Sequence, residues 1–193
     1  MKLKAAAWIL GLIPLGWVGW RFFRDDLGAN PVELLLHEAG VWTLAFLLLT
    51  LSVTPIRRLA RWNQVIKIRR LLGLFAFFYA FLHLLVYLSL DQGFAWEFIL
   101  EDVSERPYIT VGFAAFLLLL PLAVTSTRGW IRRLGKRWQQ LHRLVYVAAT
   151  LGVVHFYWQV KADTFWPWVA GGILSILFLL RLPVLRNARL RST

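Results

Sequence analysis

The sequence predicts an all-helical integral membrane protein, a bundle of six transmembrane helices with both termini in the cytoplasm. Three observations predict it. The chain of 193 residues is 59% hydrophobic, with a mean hydropathy of +0.61, well above a soluble domain. Its apolar residues gather into six runs of the length a helix needs to cross a bilayer. Its charges are segregated, with bases and acids in alternate connections.

The runs are 5–23, 39–56, 71–90, 108–125, 140–160 and 166–183. The first follows Lys2 and Lys4 and could be read as a signal sequence. Trp17 and Trp20 stand where a small-residue cleavage site would lie, so a retained first span is expected. The second ends in Leu51-Ser52-Val53-Thr54-Pro55, and a basic loop, 57–70, leads into the third, which holds His83. The fourth ends in Leu122-Ala123-Val124-Thr125-Ser126, and the basic loop 126–138 leads into the fifth, which holds His142 and His155. The sixth closes the domain. With short connections and about ten residues after the last span, the whole chain, 1–193, is expected to be one membrane domain. A fused flavin or nicotinamide module is not expected.

A net charge of +12 in a soluble protein would suggest nucleic acid, but its distribution excludes that reading. Arg57, Arg58, Arg61, Lys67, Arg69 and Arg70 fill one loop; Arg128, Arg132, Arg133, Lys136 and Arg137 fill another; Arg186, Arg189 and Arg191 end the chain. All ten acids lie in the alternate loops 24–38, 91–107 and 161–165. The positive-inside rule then puts the basic loops in the cytoplasm, against anionic lipid, and the acidic ones outside. Trp62, Trp130 and Trp138 mark the inner interface, and Trp20, Trp96, Trp166 and Trp168 the outer one. There is no cysteine, which excludes disulfides, iron–sulfur clusters, thiolate zinc and covalently attached haem.

Ionisable groups inside a membrane span point to function. Two hairpins repeat: a shift of 72 carries His83 to His155 and Arg70 to His142. Thr54 stands 29 residues before His83, and Thr125 stands 30 before His155. At about 1.5 Å per residue, His83 and His155 lie level near the outer leaflet. His142 lies roughly 20 Å lower, level with Arg70. An upper pair of imidazoles from facing helices can clamp the iron of a b-type haem. Gly73, Gly112 and Gly152 offer room for close approach. A separation of 13 residues turns His142 and His155 about 140° apart on a straight helix. Either the fifth helix is irregular or the lower histidine serves another direction. Plainer roles stay open as well. Each histidine can act as a packing hydrogen bond between helices, and Arg69 and Arg70 can be simple membrane anchors or can hold an anionic group. His37, beside Glu38, reads as a solvated loop residue.

Several segments carry a resemblance. They are Leu27-Gly28-Ala29-Asn30-Pro31-Val32-Glu33, Arg69-Arg70-Leu71-Leu72-Gly73-Leu74, His83-Leu84 with Tyr87, and Leu122 to Ser126. Trp138 with Leu141-His142-Arg143-Leu144-Val145-Tyr146, and His155-Phe156 with Trp158, complete the set. In order and spacing they resemble the MsrQ (formerly YedZ) family, the haem-binding membrane subunit of the bacterial periplasmic methionine sulfoxide reductase system. The wider group is the ferric reductase-like transmembrane domain. Its other members generally use four histidines, two on each of the third and fifth helices, to hold two stacked haems. This chain has only His83 on the third, with Arg69 and Arg70 near the missing ligand. The resemblance implies haem b with His83 and His155 as axial ligands, and His142 as a possible second ligand or a lower-site residue. It also implies FMN, with Arg69, Arg70, Trp138, His142 and Arg143 around a plausible flavin or quinone site.

The expected function is non-catalytic electron transfer in the bacterial inner membrane. Electrons would come from the quinone pool or a cytoplasmic flavin reductase, and pass through haem b. They would leave for a periplasmic molybdopterin-containing methionine sulfoxide reductase that repairs oxidised proteins. The acidic outer loops could steer that partner. Two alternatives remain at this stage: a quinol-oxidising cytochrome b anchor of another redox complex, and a proton or ion transporter using histidine relays.

Overall fold

Nine α-helices connected by short turns make up the part of the computed structural model that is described, residues 2–160 and 162–181. They are α1 (Lys2–Phe23), α2 (Pro31–Leu59), α3 (Arg69–Val86), α4 (Trp96–Glu105), α5 (Pro107–Val124), α6 (Arg128–Leu134), α7 (Lys136–Leu141), α8 (Leu144–Gln159) and α9 (Phe165–Leu179). A 3-10 turn, Asn63–Ile68, leads into α3 and a π-helical turn, Tyr87–Asp91, leads out of it.

Four helical stretches are long and apolar enough to cross a membrane: Lys2–Phe23, Pro31–Leu59, Asn63–Asp91 and Pro107–Val124. The chain is thus a multi-pass membrane protein. At the positions of the last two expected spans lie shorter helices. α8 has 16 residues, about 24 Å of rise, and α9 has 15. The fifth expected span, 140–160, is broken at His142-Arg143, which part α7 from α8. The last expected span runs past Arg181, and the basic tail with Arg186, Arg189 and Arg191 lies outside the described residues. Segments read as loops carry helices of their own. α4 occupies the acidic connection and α6 the second basic one.

Local chemistry sets these boundaries. Asn30 caps α2 by accepting from the Glu33 amide at 3.2 Å, with Pro31 at the first helical position and Glu33 favouring the positive end of the dipole. Arg57 and Arg58 close the same helix at its negative end. Pro107 starts α5, and Thr127 caps α6 through the Trp130 amide. Gly135, at φ 51°, turns the chain between α6 and α7, a conformation that glycine adopts without steric cost.

The helices assemble as two hairpins, α2 with α3 and α5 with α8, facing one another through α3–α5 and α2–α8 contacts. α1 packs outside α3, and α9 outside α8 and α2. Within the first hairpin Phe46 of α2 stacks on Phe75 and Tyr79 of α3, and where the hairpins meet Phe77 stacks on Phe116. The Tyr79 hydroxyl donates to the Gly11 carbonyl at 2.7 Å, which ties α1 to the bundle. A Cβ at Gly11 would stand 2.2 Å from the Phe75 ring, so only glycine admits this approach. Leu51, Ala149, Leu174 and Leu177 seal a second, smaller core under α9. Large apolar side chains such as Ile9, Leu12, Leu117 and Ile176 point outwards. That pattern belongs to helices whose outer surface meets lipid. Two ends can be named by charge: an acidic end with α4, and a basic end with the Asn63–Ile68 turn, α6 and α7.

Candidate haem site

The sequence separation of 72 that relates the two histidines also relates what surrounds them. His83 Nδ1 donates to the Leu36 carbonyl at 2.9 Å, and His155 Nδ1 donates to the Tyr108 carbonyl at 2.7 Å. Leu36 and Tyr108 are themselves 72 apart, near the starts of α2 and α5. So are Gly40 and Gly112, each facing one imidazole. A Cβ at Gly40 would lie 3.3 Å from His83, and one at Gly112 would lie 2.8 Å from His155. Seven residues before each histidine, Ala76 and Ala148 are fully buried. Two turns of helix place them on the histidine's own face. Each imidazole therefore sits on a small-residue stripe, backed by a glycine of the partner helix and anchored to a carbonyl.

That anchoring decides the chemistry. A carbonyl oxygen only accepts, so the proton is on Nδ1 in both rings, and both Nε2 atoms carry free lone pairs. The two ring centroids stand 6.0 Å apart, with planes at 85°. Two metal–nitrogen bonds of about 2 Å, each with about 1 Å from nitrogen to ring centre, span about the same distance. The rings border a cavity of about 760 Å³, within the range of cofactor sites. Its floor is apolar, with Leu44, Leu47, Ala80, Phe116, Leu119, Ala148 and Gly152; its mouth, at the acidic end, carries Glu33, Glu38, Asp91, Asp102 and Arg106. His37 also lines it, although exposed. Among the described residues no three His, Asp or Glu side chains converge to hold a bare metal ion. Two imidazoles alone would leave such an ion short of ligands, whereas a porphyrin brings four nitrogens of its own. The residues present fit a haem.

The lower group is arranged differently. The Thr125 hydroxyl donates to the Pro121 carbonyl at 2.6 Å, so His142 Nε2, 3.1 Å away, must be the donor to its oxygen. Trp138 stacks on the His142 ring at 3.9 Å and donates its Nε1 to the Thr125 carbonyl. The Nε2 of His142 is thereby committed, which favours a lower-site role over iron ligation through that atom. Arg69, half-buried, acts electrostatically on His142. Arg70 and Arg143 are exposed. The arginine level with His142 by sequence shift is thus an exposed one, and its neighbour Arg69 is the half-buried one.

Three features escaped the sequence reading. Arg181 reaches back from the end of α9 to the Tyr146 hydroxyl and the Leu51 carbonyl, and its guanidinium lies over the Tyr146 ring. A charge near the end of an apolar run was the available signal. Asp102 is buried on α4, accepting from Tyr87 at 3.2 Å and Gln92 at 2.8 Å while paired with Arg106 at 3.1 Å. Acids in a short loop look alike in sequence, so nothing marked this one. Gly40 was legible only by carrying the 72-residue shift from Gly112.

Comparison with known proteins places the chain in a family. Residues 39–153 match the family described as ferric reductase like transmembrane component, a stretch that includes His83 and His142 and ends two residues before His155. A curated protein from Rhodospirillum rubrum is 54% identical over 188 residues, covering 96% of this chain and 90% of its own length. One from Herminiimonas arsenicoxydans is 50% identical, covering 93% and 84%. One from Xanthomonas euvesicatoria pv. vesicatoria is 51% identical, covering 86% and 79%. Each is named protein-methionine-sulfoxide reductase heme-binding subunit MsrQ. With the paired imidazoles, the apolar slot between two repeated hairpins and likeness over nearly its full length, the chain belongs to the MsrQ family of ferric reductase-like membrane proteins.

Proposed function

We propose that this protein is a haem b electron-transfer subunit of the inner membrane, with His83 and His155 as the two axial ligands. The observation that carries the reading is the pair of rings at 6.0 Å, each with Nδ1 tied to a carbonyl and Nε2 free. Those carbonyl bonds orient each ring before the cofactor arrives and raise the basicity of the ligating nitrogen. Bound haem supplies a one-electron couple held within the bilayer. Leu44, Leu47, Phe116 and Leu119 keep water from the site's inner side, and the glycines admit a flat macrocycle.

Six membrane crossings, with α8 and α9 as the last two and both termini cytoplasmic, fit the charge segregation. In that orientation the paired histidines lie toward the periplasm. The electron acceptor is then a periplasmic molybdopterin-containing methionine sulfoxide reductase, in keeping with the names of the relatives. The donor is membrane quinol or a cytoplasmic flavin reductase. Trp138, His142 and Arg69, with Arg70 and Arg143 at the rim, form the proposed FMN or quinone site at the basic end. There the stacked indole offers an aromatic face and the guanidinium groups attract phosphate.

The reading predicts a purified protein with a reducible, low-spin, bis-imidazole haem spectrum that is reoxidised by the reductase in the presence of methionine sulfoxide. Colourless protein from haem-supplemented cells would overturn it.

A further inference from the structure

We propose that Arg106 grips a haem propionate at the acidic-end mouth of the cavity, with Asp102 as the residue that positions it. The inference rests on the haem reading above and adds the direction in which the macrocycle enters. The cavity has two unlike ends. Its floor is hydrocarbon, and its mouth holds four carboxylates, Glu33, Glu38, Asp91 and Asp102. Two propionates belong chemically at the polar mouth, since burying them against Leu47 and Leu119 would strand charge in hydrocarbon. At that mouth they meet negative charge, and Arg106 is the only lysine or arginine among its described lining residues.

Arg106 is built to serve there. It joins α4 to α5, with its backbone amide bonded to the Asp102 carbonyl at 2.9 Å and Pro107 fixing the chain beyond it. Its Nε is held by Asp102 Oδ1 at 3.1 Å, and the Tyr108 side chain stands beside the guanidinium. The guanidinium is largely exposed at the mouth, its side chain 55% accessible, and a planar fork of that kind matches a carboxylate. Asp102 is 8% exposed, and its other oxygen takes the Tyr87 hydroxyl and the Gln92 amide. It is saturated, so it holds the guanidinium rather than competing for the ligand.

The test uses the full-length, haem-loaded protein and the variants Arg106→Gln, Arg106→Lys and Asp102→Asn. Three quantities are read: midpoint potential, the rate of haem capture by excess apomyoglobin, and the visible spectrum. Removing a positive charge beside the porphyrin disfavours reduction. Arg106→Gln is therefore expected to lower the potential and to speed haem loss about tenfold, the worth of a charge-assisted hydrogen bond. Its bis-imidazole spectrum should be unchanged. Arg106→Lys should recover most of the potential; Asp102→Asn, which loosens Arg106 but also removes a negative charge, should speed haem loss without lowering the potential. An Arg106→Gln protein with wild-type potential and haem-loss rate overturns the proposal. So do equal downward shifts in Arg106→Gln and Asp102→Asn, which would make the pair a structural brace alone. A wild type without haem overturns the parent reading instead, and the two failures are thus distinguishable.

Discussion

At the scale of single residues, the site depends on which nitrogen of each imidazole carries its proton. The Leu36 and Tyr108 carbonyls settle that for His83 and His155, whereas Thr125 settles the opposite case for His142 by taking its Nε2 proton. Three histidines of the same type are thus divided by their hydrogen bonds into two potential ligands and one that is not free at that atom. The glycines matter for equally local reasons. A methyl group at position 112 would sit 2.8 Å from the His155 ring and must displace it, while one at position 40 would meet His83 at a tolerable 3.3 Å. Gly112→Ala is therefore expected to weaken haem binding by roughly tenfold or more, the usual effect of disturbing a ligand's support, and Gly40→Ala to weaken it less. Haem-to-protein ratios after purification measure both. Equal and full occupancy would show that the ring can yield without consequence.

At the scale of elements, the molecule is a repeated hairpin with one deliberate difference. The 72-residue shift superposes Leu36 on Tyr108, Gly40 on Gly112, Ala76 on Ala148 and His83 on His155. It fails at the basic end. There α3 begins with Arg69 and Arg70 directly after a 3-10 turn, whereas the equivalent part of the second hairpin is interrupted at His142-Arg143. The paired histidines were legible because an imidazole in an apolar run is rare and two at one spacing rarer still. The interruption was half legible. The angle of about 140° between positions 142 and 155 demanded either an irregular helix or a second direction, and the fold supplies the irregularity. Which arginine is half-buried was not legible, since Arg69 and Arg70 are adjacent and only packing decides which turns inwards. If flavin occupies the basic end, Arg69→Ala or His142→Ala should lower its occupancy several-fold while haem is retained, as seen in released flavin per protein. Unchanged flavin in both variants would remove that site.

At the scale of the whole molecule, length and charge decide how the chain lies in a membrane. Four stretches meet the usual crossing length, while α8 and α9 are shorter. The fifth expected span, 140–160, is longer than α8 because apolar residues continue on both sides of that helix, to Leu141 before it and Val160 after it. Helices α4 and α6 were missed because short amphipathic helices at an interface carry the same residues as loops. The absence of cysteine makes the proposed orientation directly testable. Ser104→Cys on α4 should react with a membrane-impermeant thiol reagent in intact cells, and Asn63→Cys should react only after the membrane is opened. Both side chains are exposed. Reversed labelling would invert the topology and, with it, the direction in which electrons leave.

The central claim is one iron held between the imidazoles at positions 83 and 155. Electron paramagnetic resonance and optical spectra of the purified wild type, His83→Ala, His155→Ala and Arg70→Ala proteins test it most directly. The account predicts a low-spin bis-imidazole signal in the wild type and in Arg70→Ala, and its loss in both histidine variants. Full retention of that signal in either histidine variant would contradict it.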